Sequence, residues 1–250
     1  MPISTTTAEG IADIVIDQPP VNALDAAGWF HLARTVREQG AAAATRVVVI
    51  SARGRGFCAG VDIKELAADP DKIVAVNRAN YDSFAAIYDC PVPVIVAAHG
   101  FVLGGGVGIA GAGDIVVASD DATFGLPEID RGAMGAATHL MRLVSIQKAR
   151  RMFYTGEPAT AQELYRHGSI EAVVPADEVL HTAHELAQKI AEKSPHAVRI
   201  AKEALRGIDP VDIKRSYRFE QGFTFELHAS PVAQEARNAF VEGRDARYET

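Results

Sequence analysis

Seven of the fifteen residues at positions 99–113 (HGFVLGGGVGIAGAG) are glycine, and they follow directly on the β-branched run 93–98 (PVIVAA). Glycine weakens a helix interior, and a chain uses it where φ is positive or where backbone must approach another group closely. A cluster of this density at a strand end constrains the fold to one in which segments meet at backbone distance. It also leaves N–H groups free to face a polarised or anionic oxygen. Close helix–sheet packing is the alternative use of the same residues. A second such segment, 53–64 (RGRGFCAGVDIK), follows another buried-strand pattern at 46–51 (RVVVIS). Weaker strand patterns at 11–16 and 114–118 alternate with helical spacing over 26–39 and 72–88, so the expected class is α/β with both sheet faces covered.

From residue 176 the chain is helix-like throughout, with helices expected over 176–193, 195–206, 209–227 and 231–244. Pro195, Pro210 and Pro231 fall at or beside the starts, where a missing N–H costs nothing. The apolar faces of this segment must dock on the α/β core or on another subunit. No period of 20–50 residues repeats in the sequence, so no solenoid is legible.

Composition narrows the classes of function. With 25 Lys+Arg against 32 Asp+Glu the net charge is −7, which argues against binding a phosphate backbone. No apolar run approaches the ~20 residues of a membrane span. The start, MPISTTTAEG, carries no basic and apolar leader, so a cytoplasmic protein is expected. Cys58 and Cys90 can build neither a disulfide framework nor a metal site, and no metal is expected.

Several candidate sites compete within this frame. Residues 106–111 spell G-x-G-x-x-G, but a dinucleotide fold needs that string in the first βα turn with an acidic residue about 20 positions on. Asp114 comes only three residues later, which disfavours that reading. Arg53, Arg55 and Lys64 form a local positive patch suited to a phosphorylated ligand, or merely a solvated turn. Cys58 reads as a small buried thiol rather than a nucleophile, and Asp62 as the N-cap of a following helix. Asp130 and His139 are further candidates for chemistry. Asp130 is equally able to pair with Arg131, and His139 to serve as a structural hydrogen-bonder.

The segments 22–24 (NAL), 56–64 (GFCAGVDIK), 100–106 (GFVLGGG), 124–128 (FGLPE) and 239–242 (AFVE), in this order, resemble the enoyl-CoA hydratase/isomerase (crotonase) superfamily. The resemblance implies a spiral of ββα units forming a core over 1–190 and a C-terminal helical region, 191–250, that packs trimers, often paired into hexamers. It implies an acyl-CoA substrate, with coenzyme A as part of the substrate and no permanently bound cofactor, nucleic acid or membrane partner. By the same mapping the backbone N–H groups of Val61 and Gly105 hold the thioester oxygen as negative charge develops on it. Glu128 is the acid/base, with Asp130 a weaker second catalytic candidate. Ala59 and Lys64 lie near the adenine and phosphates of CoA, and Phe240 contributes to the CoA site.

One departure bears on the reaction. Hydratases of this family use two glutamates, and the position of the first is Gly108 here. Adding water across a double bond needs a proton donor and an acceptor, so ordinary hydration is disfavoured. Single-glutamate isomerisation, C–C hydrolysis of a β-dicarbonyl CoA thioester, and a non-catalytic acyl-CoA-binding role stay open. Residues 127–144 (PEIDRGAMGAATHLMRLV) and 216–228 (SYRFEQGFTFELH) further resemble the actinobacterial steroid-degrading branch. That branch includes a hydrolase of a CoA-borne bicyclic dione and likewise lacks the first glutamate. A wide apolar acyl pocket is then expected, with Leu66, Phe84, Phe101 and Met134 as candidate walls.

Overall fold

Val47, Val48, Val49 and Ile50 are all fully buried, which requires a strand covered on both faces. The computed structural model, which describes residues 2–248, has that arrangement. In chain order the strands are β1 (Ile3–Ala8), β2 (Ile11–Ile16), β3 (Ala23–Leu24), β4 (Val47–Ala52), β5 (Gly60–Val61), β6 (Val94–Ala98), β7 (Phe101–Leu103), β8 (Ile115–Ser119), β9 (Thr123–Gly125), β10 (Ala159–Thr160) and β11 (Ala172–Val174). The helices are α1 (Ala26–Ala41), α2 (Ile63–Ala68), α3 (Ile73–Tyr88), α4 (Gly105–Ala112), α5 (Ala137–Leu140), α6 (Ile146–Thr155), α7 (Ala161–Arg166), α8 (Val179–Ala191), α9 (Pro195–Gly207), α10 (Ile213–His228) and α11 (Pro231–Glu242).

The main sheet runs β1-β2-β4-β6-β8-β11. Within this sheet only β1 and β2 pair antiparallel, through a turn in which Glu9 and Gly10 both have positive φ, as a two-residue hairpin needs. The other pairs are parallel, with Ile14 opposite Ile50 and Ile95 opposite Ile115. Four of the long strands are each followed by a short one in a second layer: β2 by β3, β4 by β5, β6 by β7 and β8 by β9. Within that layer β3 pairs β5, β7 pairs β9, and a bridge from Cys58 to Val102 joins the two groups. This is a spiral of ββα turns built from dissimilar sequence.

Alternation along the strands assigns the two faces. Val47, Val49, Ile95, Ala97 and Val117 pack against Val179, Ala183, Ala187 and Ala191 of α8. Val48, Ile50, Val94 and Val96 face the larger core with Trp29, Leu32, Phe57, Phe84 and Ile109. The helix-like sequence after residue 176 thus opens with a helix that closes one face of the sheet. Pro195 and Pro231 occupy the first turns of α9 and α11 behind the capping hydroxyls of Ser194 and Ser230. Pro210 instead precedes the cap of α10, which is Asp212. No helix among the described residues is long and apolar enough to cross a membrane.

Candidate active site

The two glycine-rich segments and the one carrying Glu128 are stitched together by backbone. Phe57 N–H donates to the Phe101 carbonyl at 3.0 Å, Leu103 N–H to Cys58 at 2.9 Å, and Gly104 N–H to Gly125 at 3.0 Å. Gly60, with φ of 90°, lies so close that a Cβ there would stand 3.0 Å from the Gly105 nitrogen. Gly105 opens α4, so its N–H belongs to the first turn, whose donors have no carbonyl four residues back. Gly104 has φ of 54°, and a methyl group on it would overlap the Glu128 carboxyl. That carboxyl is laid directly on the glycine backbone, and only glycine permits both.

Glu128 sits in a 3₁₀ turn, Pro127–Arg131, held by Ala133 N–H donating to the Glu128 carbonyl at 2.9 Å. Its side chain faces an internal cavity, yet Oε2 is shut off from solvent and has no hydrogen-bond partner among the described residues. Burial raises its pKa to about 7, against the opposing pull of its own backbone N–H and Arg131; Glu220 adds to the rise. A carboxyl poised near neutrality can take a proton and return it.

The cavity proper is small, about 80 Å³, within about 660 Å³ of unfilled space that includes open solvent. Val61 and Gly105 line it together with Glu128, as do Leu66, Phe84 and Met134. Phe101, the fourth expected wall, lines an outer channel of about 300 Å³ instead. Ala59, Lys64 and Phe240 meet in that channel, and Ala59, Val61 and Arg131 are common to both spaces. The Arg131 guanidinium lies 4.7 Å from the Phe240 ring centroid, a cation–π contact at the junction.

Other candidates fall elsewhere. Asp130 is exposed, its carboxyl set against Gly156 outside the cavity. With three residues per turn, a side chain two positions on from Glu128 in a 3₁₀ turn points away from it. Nor does Asp130 pair with Arg131 among the described salt bridges. Arg53 and Arg55 line neither space, and Arg53 approaches Asp17 at 3.9 Å; of the positive patch only Lys64 reaches the channel. Asp62 caps α2 by accepting from Lys64 N–H at 3.0 Å. Cys58 donates to the Asn22 carbonyl at 3.2 Å, and burial pushes its thiol up to about 12. Neither ring nitrogen of His139 has a hydrogen-bond partner among the described residues. Its ring packs on Phe84 and Tyr217 at centroid distances of 4.6 and 4.9 Å. Burial lowers its pKa to about 3, which keeps it neutral.

Phe84 accounts for the absent glutamate. A methyl group at Gly108 would overlap the tip of the Phe84 ring, which is itself held by Trp29, His139 and Tyr217. The space a second carboxylate would take is filled by an aromatic side chain.

Sequence reasoning missed the contribution of α10 and of the polar face of α3. Tyr217 and Thr224 of α10 line the cavity beside Asn77 and Asn80 of α3. Glu220 accepts from the N–H groups of Ala137 and Thr138 at 2.8 and 3.0 Å, tying α10 to the start of α5. Tyr217, Glu220, Gln221 and Thr224 are all buried. Their i, i+3, i+4, i+7 spacing is a polar stripe on one helix face, the one signal that could have marked it.

Comparison with known proteins agrees with this geometry. Residues 6–250 match the enoyl-CoA hydratase/isomerase family. A Rhodococcus jostii protein named (7aS)-7a-methyl-1,5-dioxo-2,3,5,6,7,7a-hexahydro-1H-indene-carboxyl-CoA hydrolase is 53% identical over 96% of this chain and 93% of its own length. A Mycobacterium tuberculosis protein of the same name is 49% identical over 97% of this chain and 99% of its own length. The crystal structure of an enoyl-CoA hydratase from Mycobacterium avium subsp. paratuberculosis superposes with a TM-score of 0.89 at 25% identity, covering 100% of this chain and 99% of that one. The fold, the paired glycine segments and these matches together show that the chain belongs to the enoyl-CoA hydratase/isomerase (crotonase) superfamily and is an acyl-CoA-processing enzyme.

Proposed function

We propose that the enzyme opens a ring of a bicyclic dione carried on CoA by hydrolysing a C–C bond and leaves the thioester intact. The observation that carries this reading is the single carboxylate: Glu128 faces the cavity while Phe84 fills the place of a second. The names of the two relatives, at 53% and 49% identity, supply the class of acyl group. That name leaves one ring double bond, between carbons 3a and 4, next to the quaternary carbon 7a that bears the carbon-1 ketone.

Ionised Glu128 takes a proton from water while the hydroxide adds to the ring ketone. The bond between the former ketone carbon and its quaternary neighbour breaks. Its electron pair moves through the ring double bond to the thioester oxygen, held by the N–H groups of Val61 and Gly105. Glu128 then returns its proton to carbon. One water is consumed, with OH on the new carboxylic acid and H on the released carbon.

Lys64, Ala59 and Phe240 are read as the walls along which the CoA moiety lies. Phe219, Phe223, Val232 and Val241 are exposed on α10 and α11 and are read as the face that packs further copies into a trimer or hexamer. The isomerase reading also fits a single carboxylate, so the test uses three substrates. Incubation with the bicyclic dione CoA ester should give a product one water heavier with no free thiol. Crotonyl-CoA hydration should be at least ~100-fold slower, as expected when one acid/base partner is missing, and 3-enoyl-CoA isomerisation faster than ring opening would favour the isomerase reading instead. Crotonyl-CoA hydrated as fast as the dione is opened would overturn the proposal.

A further inference from the structure

The acyl cavity holds polar groups that the reaction above does not use. Asn77, only 6% exposed, lines it from α3, and its Nδ2 is buried with no hydrogen-bond partner among the described residues. Its backbone is fixed independently, since the Gln221 amide donates to the Asn77 carbonyl at 2.6 Å. Tyr217, one turn before Gln221 on α10, lines the same cavity, its ring wedged between Phe84 and His139. A buried amide left unpaired costs stability, and native proteins leave few such groups without a use. Asn80 is different, because its amide already donates to the Val76 carbonyl at 3.0 Å.

The surroundings define what these groups can receive. Burial first, and then Glu220 and Glu128, disfavour negative charge at Tyr217, so an anionic acyl group is a poor match. A plain alkyl chain would leave the Asn77 amide as orphaned as before. A neutral oxygen acceptor on the acyl group suits both an amide N–H and a phenol O–H. We infer that Asn77 and Tyr217 form a ketone-binding subsite, which selects CoA thioesters whose ring system carries a carbonyl away from the thioester. The inference rests on the dione reading for its substrate class, but binding alone can test it.

Two inert ligands serve as probes: a saturated bicyclic acyl-CoA with one ring ketone remote from the thioester, and the same ester without the ketone. Neither has a conjugated path from ring to thioester, so neither is cleaved and titration reads affinity only. Wild-type enzyme should bind the keto ester about 10–100-fold more tightly, the scale on which a site penalises a ligand that leaves its polar groups unpaired. Asn77→Leu should abolish the preference by weakening the keto ester while leaving the deoxo ester near its wild-type affinity. Tyr217→Phe, which keeps the ring packing, should reduce the preference severalfold and decides the matter if Asn77→Leu does not fold. Equal binding of the two esters by wild type, or a preference unchanged in Tyr217→Phe, overturns the subsite. A ketone preference without ring opening would instead sink the hydrolase reading and leave the subsite standing.

Discussion

Glu128→Gln is expected to lower kcat/KM for the dione ester by about 10²–10⁴-fold, the range associated with a positioned acid/base group. The amide keeps the shape of the side chain over Gly104 but can neither take the proton from water nor return it. Wild-type kcat/KM should rise about tenfold per pH unit below pH 7 and level off above it, because the active form is the carboxylate and its pKa is raised to about 7. The pH–stability profile guards against mistaking unfolding for lost chemistry. The unfolded chain releases this proton near 4.5 and the folded chain only near 7. The carboxyl therefore lowers stability progressively between those values, by about 3 kcal/mol once the pH exceeds both. Glu128→Gln should be more stable relative to wild type at pH 8 than at pH 4. An active, wild-type-like pH profile in the variant would remove Glu128 from the mechanism.

Gly108→Glu should fail to make a hydratase. The new side chain must enter the space of Phe84, which is 1% exposed and packed on three aromatic neighbours. Overpacking of this kind costs about 1–3 kcal/mol, and a second carboxyl in the same apolar surroundings adds its own desolvation. The variant should lose stability in thermal unfolding and gain no crotonyl-CoA hydration. Adding Phe84→Ala to Gly108→Glu removes the obstruction, so the double variant should be less destabilised than the sum of its parts. A well-folded Gly108→Glu enzyme that hydrates crotonyl-CoA would show that Phe84 does not bar a second carboxylate.

What could be read from the chain followed how densely its constraints are written. The glycines at 104–106 also suit close helix–sheet packing, and it was their order with residues 56–64 in a family resemblance that made the site legible. The strands β4 and β6 announced themselves as β-branched runs, whereas β3, β5, β7, β9 and β10 are two or three residues long and carry no period. For the same reason the ββα turn left no sequence repeat and entered only through the family resemblance: its units share backbone geometry, while side chains differ with each unit's packing. Asp130 illustrates the opposite error, since nearness to Glu128 in sequence means divergence in a 3₁₀ turn. Tyr217 and Asn77 were missed because α10 and α3 meet only through tertiary packing. The segment that looked like an oligomerisation region also supplies a wall of the acyl cavity.

The most direct test of the account is hydrolysis of the bicyclic dione CoA ester in ¹⁸O-labelled water. One labelled oxygen should appear in a new carboxylate on the acyl portion, with the thioester unbroken and no free CoA released. Label in a hydroxyl on the carbon skeleton, or in an acid freed from CoA, would contradict it.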